Sequence, residues 1–202
     1  MSSGKDVSAK LVADLRARTG AGMMDCKKAL EETSGDLEKA VELLRKKNVA
    51  KADKRSTREV AEGAIETYVH FNGRIGVLVE LNCETDFVAR TDDFRALAKD
   101  LCLHIASAAP TAVRVEDLAP ELIDSERRIY EAQVSEEKKP EAVRAKIVEG
   151  SMNKFYEERV LLNQKFVKDD SVTVGDLVKQ LAARTGENVR VRRFARFELG
   201  GN

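Results

Sequence analysis

The sequence predicts an α+β protein: a small N-terminal three-helix domain followed by a two-layer core of sheet and packed helices. Apolar residues recur at helical spacing before residue 48, but they alternate along residues 64–82 and 188–199. Between the alternating runs, helical spacing returns. We predict a three-helix domain over 1–47, a linker over 48–60 and an α+β core over 61–202, with a three-stranded antiparallel sheet and a protruding antiparallel helical hairpin at about 120–159.

Three short helices account for the pattern of residues 8–47. Ser8 can cap the first helix, and Thr19-Gly20 ends it. The second is predicted over 23–33, and Asp36 can cap the third. The positions predicted to face inward are Leu11, Val12, Leu15, Met24, Ala29, Leu30, Leu37, Ala40, Val41 and Leu44.

Residues 48–60 are polar and mostly basic, which is typical of a linker. A solvated continuation of the third helix is an equally good interpretation of the first half. The basic side chains could contact RNA, but no aromatic residues are interleaved with them to stack on bases, so a solvated linker is favoured. These side chains are Lys51, Lys54, Arg55 and Arg58.

Residues 64–82 predict a β-hairpin. Two alternating runs flank Asn72-Gly73, and Asn-Gly is a strong signal for a type I′ turn, in which both central residues have positive φ. The alternating apolar positions, with one threonine among them, are Ile65, Thr67, Val69, Phe71, Ile75, Val77, Val79 and Leu81.

Helical spacing then predicts a helix over 92–108 and the hairpin of two helices, broken at 138–140. Residues 164–170 are predicted to form a loop, and residues 176–184 a short helix. The last run predicts a third strand whose apolar side chains share one face. These are Val189, Val191, Ala195, Phe197 and Leu199.

Composition excludes several classes of function. Lys plus Arg equals Asp plus Glu at 35 each, so no global field attracts nucleic acid or an anionic membrane. The cysteines Cys26, Cys83 and Cys102 form no C-x-x-C pair and are expected to be reduced thiols of a cytoplasmic protein. We expect no membrane span, no cofactor, no metal site and no catalytic residues. Cys83 is interpreted as a packing residue, and His104 as a core histidine.

Two segments resemble the signatures of bacterial elongation factor Ts. They are LRARTGAGMMDCKKAL (15–30) and ELNCETDFVAR (80–90), and further likeness lies in 104–110, 146–155, 164–170 and 191–199. The resemblance implies a helical domain of the ubiquitin-associated type and a guanine nucleotide exchange factor. Its partner would be elongation factor Tu, bound with GDP or without nucleotide.

The resemblance also implies which residues act. Thr85, Asp86, Phe87 and Val88 would form a wedge beside the magnesium and nucleotide site of Tu. The helical domain would dock through Val12, Arg16, Met23 and Met24. With one hairpin-plus-strand core, the chain resembles the short form of the family. A homodimer and a two-plus-two complex with Tu are therefore expected, without direct nucleic acid or membrane contact.

The residues alone leave alternatives open. Phe87 is either a core plug, the usual fate of an isolated Phe, or an exposed anchor. Asp86 is either a helix cap or a group that competes for donors around the nucleotide. Met24 fits a core stripe, whereas Met23, beside glycines at a helix start, fits a surface position.

Two other functions compete with exchange. An RNA- or ribosome-binding protein would use the helical domain and the basic linker, and its binding would weaken steeply with salt. An enzyme would need a nucleophile and a base close together, which the sequence does not present.

Overall fold

The structure, a computed structural model, describes residues 7–135 and 139–201, without the side chains of 48–54. Two compact units are present. The first contains the chain up to Gly63 with Asn82–Phe94 and Val178–Arg190, and the second contains Ala64–Leu81, Arg95–Leu177 and the chain from Val191. The helices and strands are α1 (Ala9–Thr19), α2 (Met23–Glu32), α3 (Leu37–Arg55), β1 (Glu62–Val69), β2 (Ile75–Cys83), α4 (Asp86–Ala89), α5 (Asp92–Ala108), α6 (Pro120–Ser135), α7 (Glu141–Arg159), β3 (Lys165–Phe166), β4 (Asp169–Thr173), α8 (Val174–Thr185) and β5 (Val189–Glu198).

The three N-terminal helices form as predicted, and side chains cap the starts of the first and the third. The Ser8 hydroxyl accepts a hydrogen bond from the Leu11 N–H, and Gly20 ends α1 in the left-handed conformation at φ +65°. The Asp36 carboxylate accepts the Lys39 N–H at the start of α3. Their shared core contains Val12, Leu15, Ala21, Cys26, Ala29, Leu30, Ala40 and Leu44.

Two details of this region differ from the sequence prediction. α3 continues to Arg55, so the helical interpretation is right for the first half of the predicted linker. Met24 is exposed rather than inward, because Cys26, Ala29 and Leu30 form the buried stripe of α2. At 100° per residue, Met24 projects about 200° away from Cys26.

The hairpin is confirmed, and β1, β2 and β5 form one three-stranded antiparallel sheet in that order. The predicted type I′ turn is wrong. The Gly73 N–H donates to the His70 carbonyl at 2.7 Å, and Gly73 has positive φ whereas Asn72 does not. This pattern fits a type I turn followed by a left-handed glycine. The Asn72 side chain accepts the Arg74 N–H at 3.0 Å and so stabilises this longer turn.

One face of the sheet is covered and the other carries exposed apolar side chains. Val77, Val79 and Leu81 are buried, and Arg196 donates from β5 to the Ala106 carbonyl of α5. The opposite side of β2 exposes Leu78. Further exposed apolar side chains on the strands and just beyond β5 are Ile65, Val69, Phe197 and Leu199.

The sequence analysis predicts that the apolar residues of the terminal strand share one face, and this prediction is wrong. Val191 is buried, whereas Phe197 is 66% exposed. The guanidinium groups of Arg192 and Arg193 both contact the Glu80 carboxylate, at 3.5 and 2.7 Å. Two successive side chains thus reach the same partner, which interrupts the two-residue alternation between them.

The second unit contains the predicted helical hairpin. α6 and α7 pack together around an apolar cluster that includes Val134, Val148, Met152 and Phe155. Residues 164–170 are not only a loop, since β3 and β4 pair antiparallel within and beyond this segment. In the described part of the chain, no helix is both long and apolar enough to cross a membrane.

Candidate partner-binding surface

The first compact unit contains both segments predicted to bind a partner. It contains the three helices and also residues 82–94, which include the predicted wedge. Asp93 of the second segment, together with Arg16 and Met23 of the helices, lines one open cleft. The cleft therefore joins the helical domain to a residue just after the wedge, whereas the wedge residues themselves do not line it.

The helical part of this surface is built on a buried support. Met23 and Met24 are 54% and 63% exposed at the start of α2, and Arg16 is exposed on α1. Val12 is only 6% exposed and belongs to the core of the three helices. Three of the four predicted docking side chains thus offer surface to a partner, while Val12 holds α1 from within.

The predicted wedge is a short helical turn with one projecting aromatic ring. Phe87 is 78% exposed on α4, so the core-plug interpretation is wrong. The cap of α4 is Thr85 and not Asp86, because the Thr85 hydroxyl accepts the Val88 N–H at 3.4 Å. Asp86 instead forms an ion pair with Arg90 at 2.8 Å. Val88 is half-buried.

Glu187, which the sequence analysis did not single out, contacts the base of this turn. Its carboxylate accepts hydrogen bonds from the Thr85 N–H at 3.0 Å and from the Thr85 hydroxyl at 2.6 Å. Glu187 follows α8 and lies about a hundred residues along the chain. No spacing in the sequence connects the two segments, so only the fold reveals this contact.

The two residues considered for chemistry are both held in uncharged form. Burial raises the pKa of the Cys83 thiol to about 11, and the negative charge of Glu187 adds to the effect. A protonated thiol is a poor nucleophile at neutral pH. Among the described residues, no group of three or more His, Cys, Asp or Glu side chains could hold a metal ion.

His104 is a core histidine, as predicted. It is fully buried, and burial lowers its pKa. Its Nδ1 accepts the Val167 N–H at 3.3 Å, so Nε2 carries the proton and donates to the Gln164 side chain at 2.9 Å.

Two of the basic residues considered for RNA are engaged with the protein. Arg55 donates to the Ala182 carbonyl at 3.3 Å, and Arg58 lies 3.4 Å from the Glu84 carboxylate. The side chains of Lys51 and Lys54 lie outside the described residues.

Comparison with known proteins decides the family. The family model described as elongation factor TS matches residues 7–201. The chain belongs to the elongation factor Ts family. It is 54% identical over 194 residues to elongation factor Ts of Thermosipho melanesiensis, covering 96% of this chain and 99% of that protein. The identity to elongation factor Ts of Thermotoga neapolitana is 55% over 195 residues, covering 96% of this chain and 98% of the relative.

The same family name recurs in a third bacterium. Elongation factor Ts of Carboxydothermus hydrogenoformans is 53% identical over 194 residues, which is 96% of this chain and 89% of that protein. The resemblance inferred from residues 15–30 and 80–90 is therefore confirmed across nearly the whole chain.

Proposed function

We propose that this chain is a guanine nucleotide exchange factor for elongation factor Tu and acts by binding it, without a catalytic site of its own. Family membership supports the partner. The observation that carries the mechanism is the exposure of Phe87. Its side chain is 78% exposed, and it lies on a turn whose base is anchored by hydrogen bonds to Glu187. A large apolar ring held in water is unfavourable for the free protein and suited to a pocket on a partner.

In this proposal the first unit docks and the wedge acts. Arg16, Met23 and Met24 contact the nucleotide-binding domain of Tu, and flexible thioethers adapt well to a partner surface. Phe87 then enters beside the magnesium and nucleotide site of Tu. Asp86, framed by Thr85 and Val88, competes for donors that hold the nucleotide.

Thermodynamics fixes the form of the coupling. The factor is released from Tu unchanged, so it cannot shift the equilibrium between the GDP-bound and GTP-bound forms of Tu. If it weakens the binding of nucleotide to Tu, nucleotide weakens the binding of the factor by the same ratio. The factor must therefore bind nucleotide-free Tu more tightly than the GDP-bound form, and either nucleotide expels it.

Stopped-flow fluorescence with a labelled GDP on purified Tu tests the wedge. The wild-type chain should accelerate GDP release, and Asp86→Ala combined with Phe87→Ala should lower that acceleration strongly while circular dichroism stays unchanged. Undiminished release with the double variant would eliminate the assigned role of this loop.

We further propose that two copies associate through the exposed face of the sheet. Ile65, Val69 and Leu78 expose apolar surface there, and a second copy offers the same surface for a self-complementary contact. The zero net charge leaves no overall repulsion between copies. Light scattering at micromolar concentration should give the mass of a dimer, and a monomer would remove this part of the proposal.

A further inference from the structure

Two glutamates at the base of the wedge each accept backbone hydrogen bonds from the opposite segment. Glu187 accepts hydrogen bonds from the Glu84 N–H at 3.1 Å and from the Thr85 N–H at 3.0 Å, both on the same carboxylate oxygen. Its other oxygen accepts the Thr85 hydroxyl at 2.6 Å. Conversely, the Glu84 carboxylate accepts the Asn188 N–H at 2.6 Å.

The contact extends to the segment that follows α3. Asn188 is buried, and its side-chain amide donates to the Ser56 carbonyl at 3.2 Å and to the Arg58 carbonyl at 2.8 Å. The Arg58 guanidinium lies 3.4 Å from the Glu84 carboxylate. The exit of the helical domain, the start of the wedge and the loop after α8 are thus joined within the first unit.

The hydrogen bonds to Glu187 contribute more to holding the wedge than the intrinsic stability of the helical turn α4. Hydrogen bonds to a carboxylate are roughly twice as strong as those between neutral groups. By contrast, α4 has only four residues, and so short a helix does not offset the entropic cost of its own nucleation. The orientation of Phe87 must therefore be set from outside the turn.

We propose that Glu187 is the positioning residue of the wedge, and that the Glu84–Asn188 contact fixes the wedge relative to the exit of the helical domain. This inference rests on the proposed function of Phe87. Glu187 itself does not touch the partner. It reduces the freedom that Phe87 must lose on binding, and such preorganisation increases affinity without a new contact.

The first experiment measures the positioning directly and does not depend on Tu. Glu187→Gln keeps the size of the side chain but removes its negative charge and one of its two acceptor oxygens, so its contacts with Glu84 and Thr85 lose their charge assistance. By NMR, the backbone amides of Glu84 and Thr85 should exchange with solvent at least about tenfold faster than in wild type. Glu149→Gln, an exposed change on α7, is the matched control and should leave both amides unaltered.

The second experiment asks whether Glu187 acts through Phe87. Glu187→Gln should lower the efficiency of GDP release from Tu about tenfold, and Phe87→Ala should lower it further. Glu187→Gln combined with Phe87→Ala should be no worse than Phe87→Ala alone, since the two residues act as one unit. A residue with only a structural role would give additive losses.

Each outcome decides the proposal. Unchanged exchange of the two amides, or additive losses in the double variant, overturns the positioning role. If Phe87→Ala leaves GDP release unaltered while the amides still exchange faster, the proposed function fails but Glu187 still holds the turn. Should Glu187→Gln not fold, Glu187→Asp keeps the charge but shortens the side chain by one methylene group, and the Glu84 amide should again exchange faster than in wild type.

Discussion

Replacing Phe87 with alanine should separate function from stability. A Phe side chain presents about 200 Å² of surface, and Phe87 is 78% exposed. About 150 Å² therefore remains to be buried in a partner, equivalent to about 4 kcal/mol at about 25 cal/mol per Å². Ordering the side chain on binding costs about 1 kcal/mol of this. The remaining 3 kcal/mol predicts that Phe87→Ala lowers exchange efficiency on Tu about 100-fold.

The same substitution should hardly change the stability of the folded chain. An exposed ring away from the core contributes within about 0.5 kcal/mol to the free energy of unfolding. Val167→Ala is the control, since it shortens another exposed apolar side chain, in a turn of the second unit. Urea unfolding and stopped-flow GDP release would be measured on all three proteins. Equal exchange losses in both variants, or a Phe87→Ala protein that unfolds much more easily, would refute the reasoning.

Three further predictions concern packing, pH and assembly. Gly20→Ala should lower the free energy of unfolding by about 2 kcal/mol, against about 1 kcal/mol for Gly35→Ala, measured in urea. Both glycines have positive φ, but only at Gly20 would an added Cβ collide with the side chain of Arg184, so equal losses would contradict the packing. Burial lowers the pKa of His104 in the folded state, so the stability it confers is present above the unfolded pKa of about 6.5 and is lost as pH falls below it. His104→Asn should therefore flatten the fall in urea midpoint between pH 7 and pH 5, and an unchanged slope would contradict this. Leu78→Glu should convert the proposed dimer to a monomer in light scattering, whereas the dimeric mass would count against the sheet face.

Local sequence signals predicted the helices and strands, whereas contacts between distant residues determine which of their side chains are buried or exposed. Capping at Ser8 and helical spacing identified the N-terminal helices, because both act within one turn of chain. The exposure of Met24 was missed because a methionine next to a stripe fits either face until the neighbouring helices are placed. The turn at Asn72-Gly73 was predicted too short, since the side-chain contact to Arg74 favours a longer loop.

The candidate partner-binding surface was likewise predicted in part from local sequence and in part not. The family pattern in residues 80–90 was enough to predict that Phe87 is exposed, although an isolated Phe is usually buried. Glu187 could not be predicted, because its contact with Thr85 spans 102 residues and depends on the fold. The interruption at Arg192 and Arg193 likewise depends on Glu80 in another strand.

GDP release from purified elongation factor Tu tests the central claim most directly. Tu loaded with a fluorescent GDP analogue would be mixed in a stopped-flow instrument with excess unlabelled GDP and increasing amounts of the wild-type chain. The account predicts a release rate that rises with the chain and saturates, and a complex with nucleotide-free Tu that added GDP dissociates. A release rate independent of the chain at every concentration would contradict it.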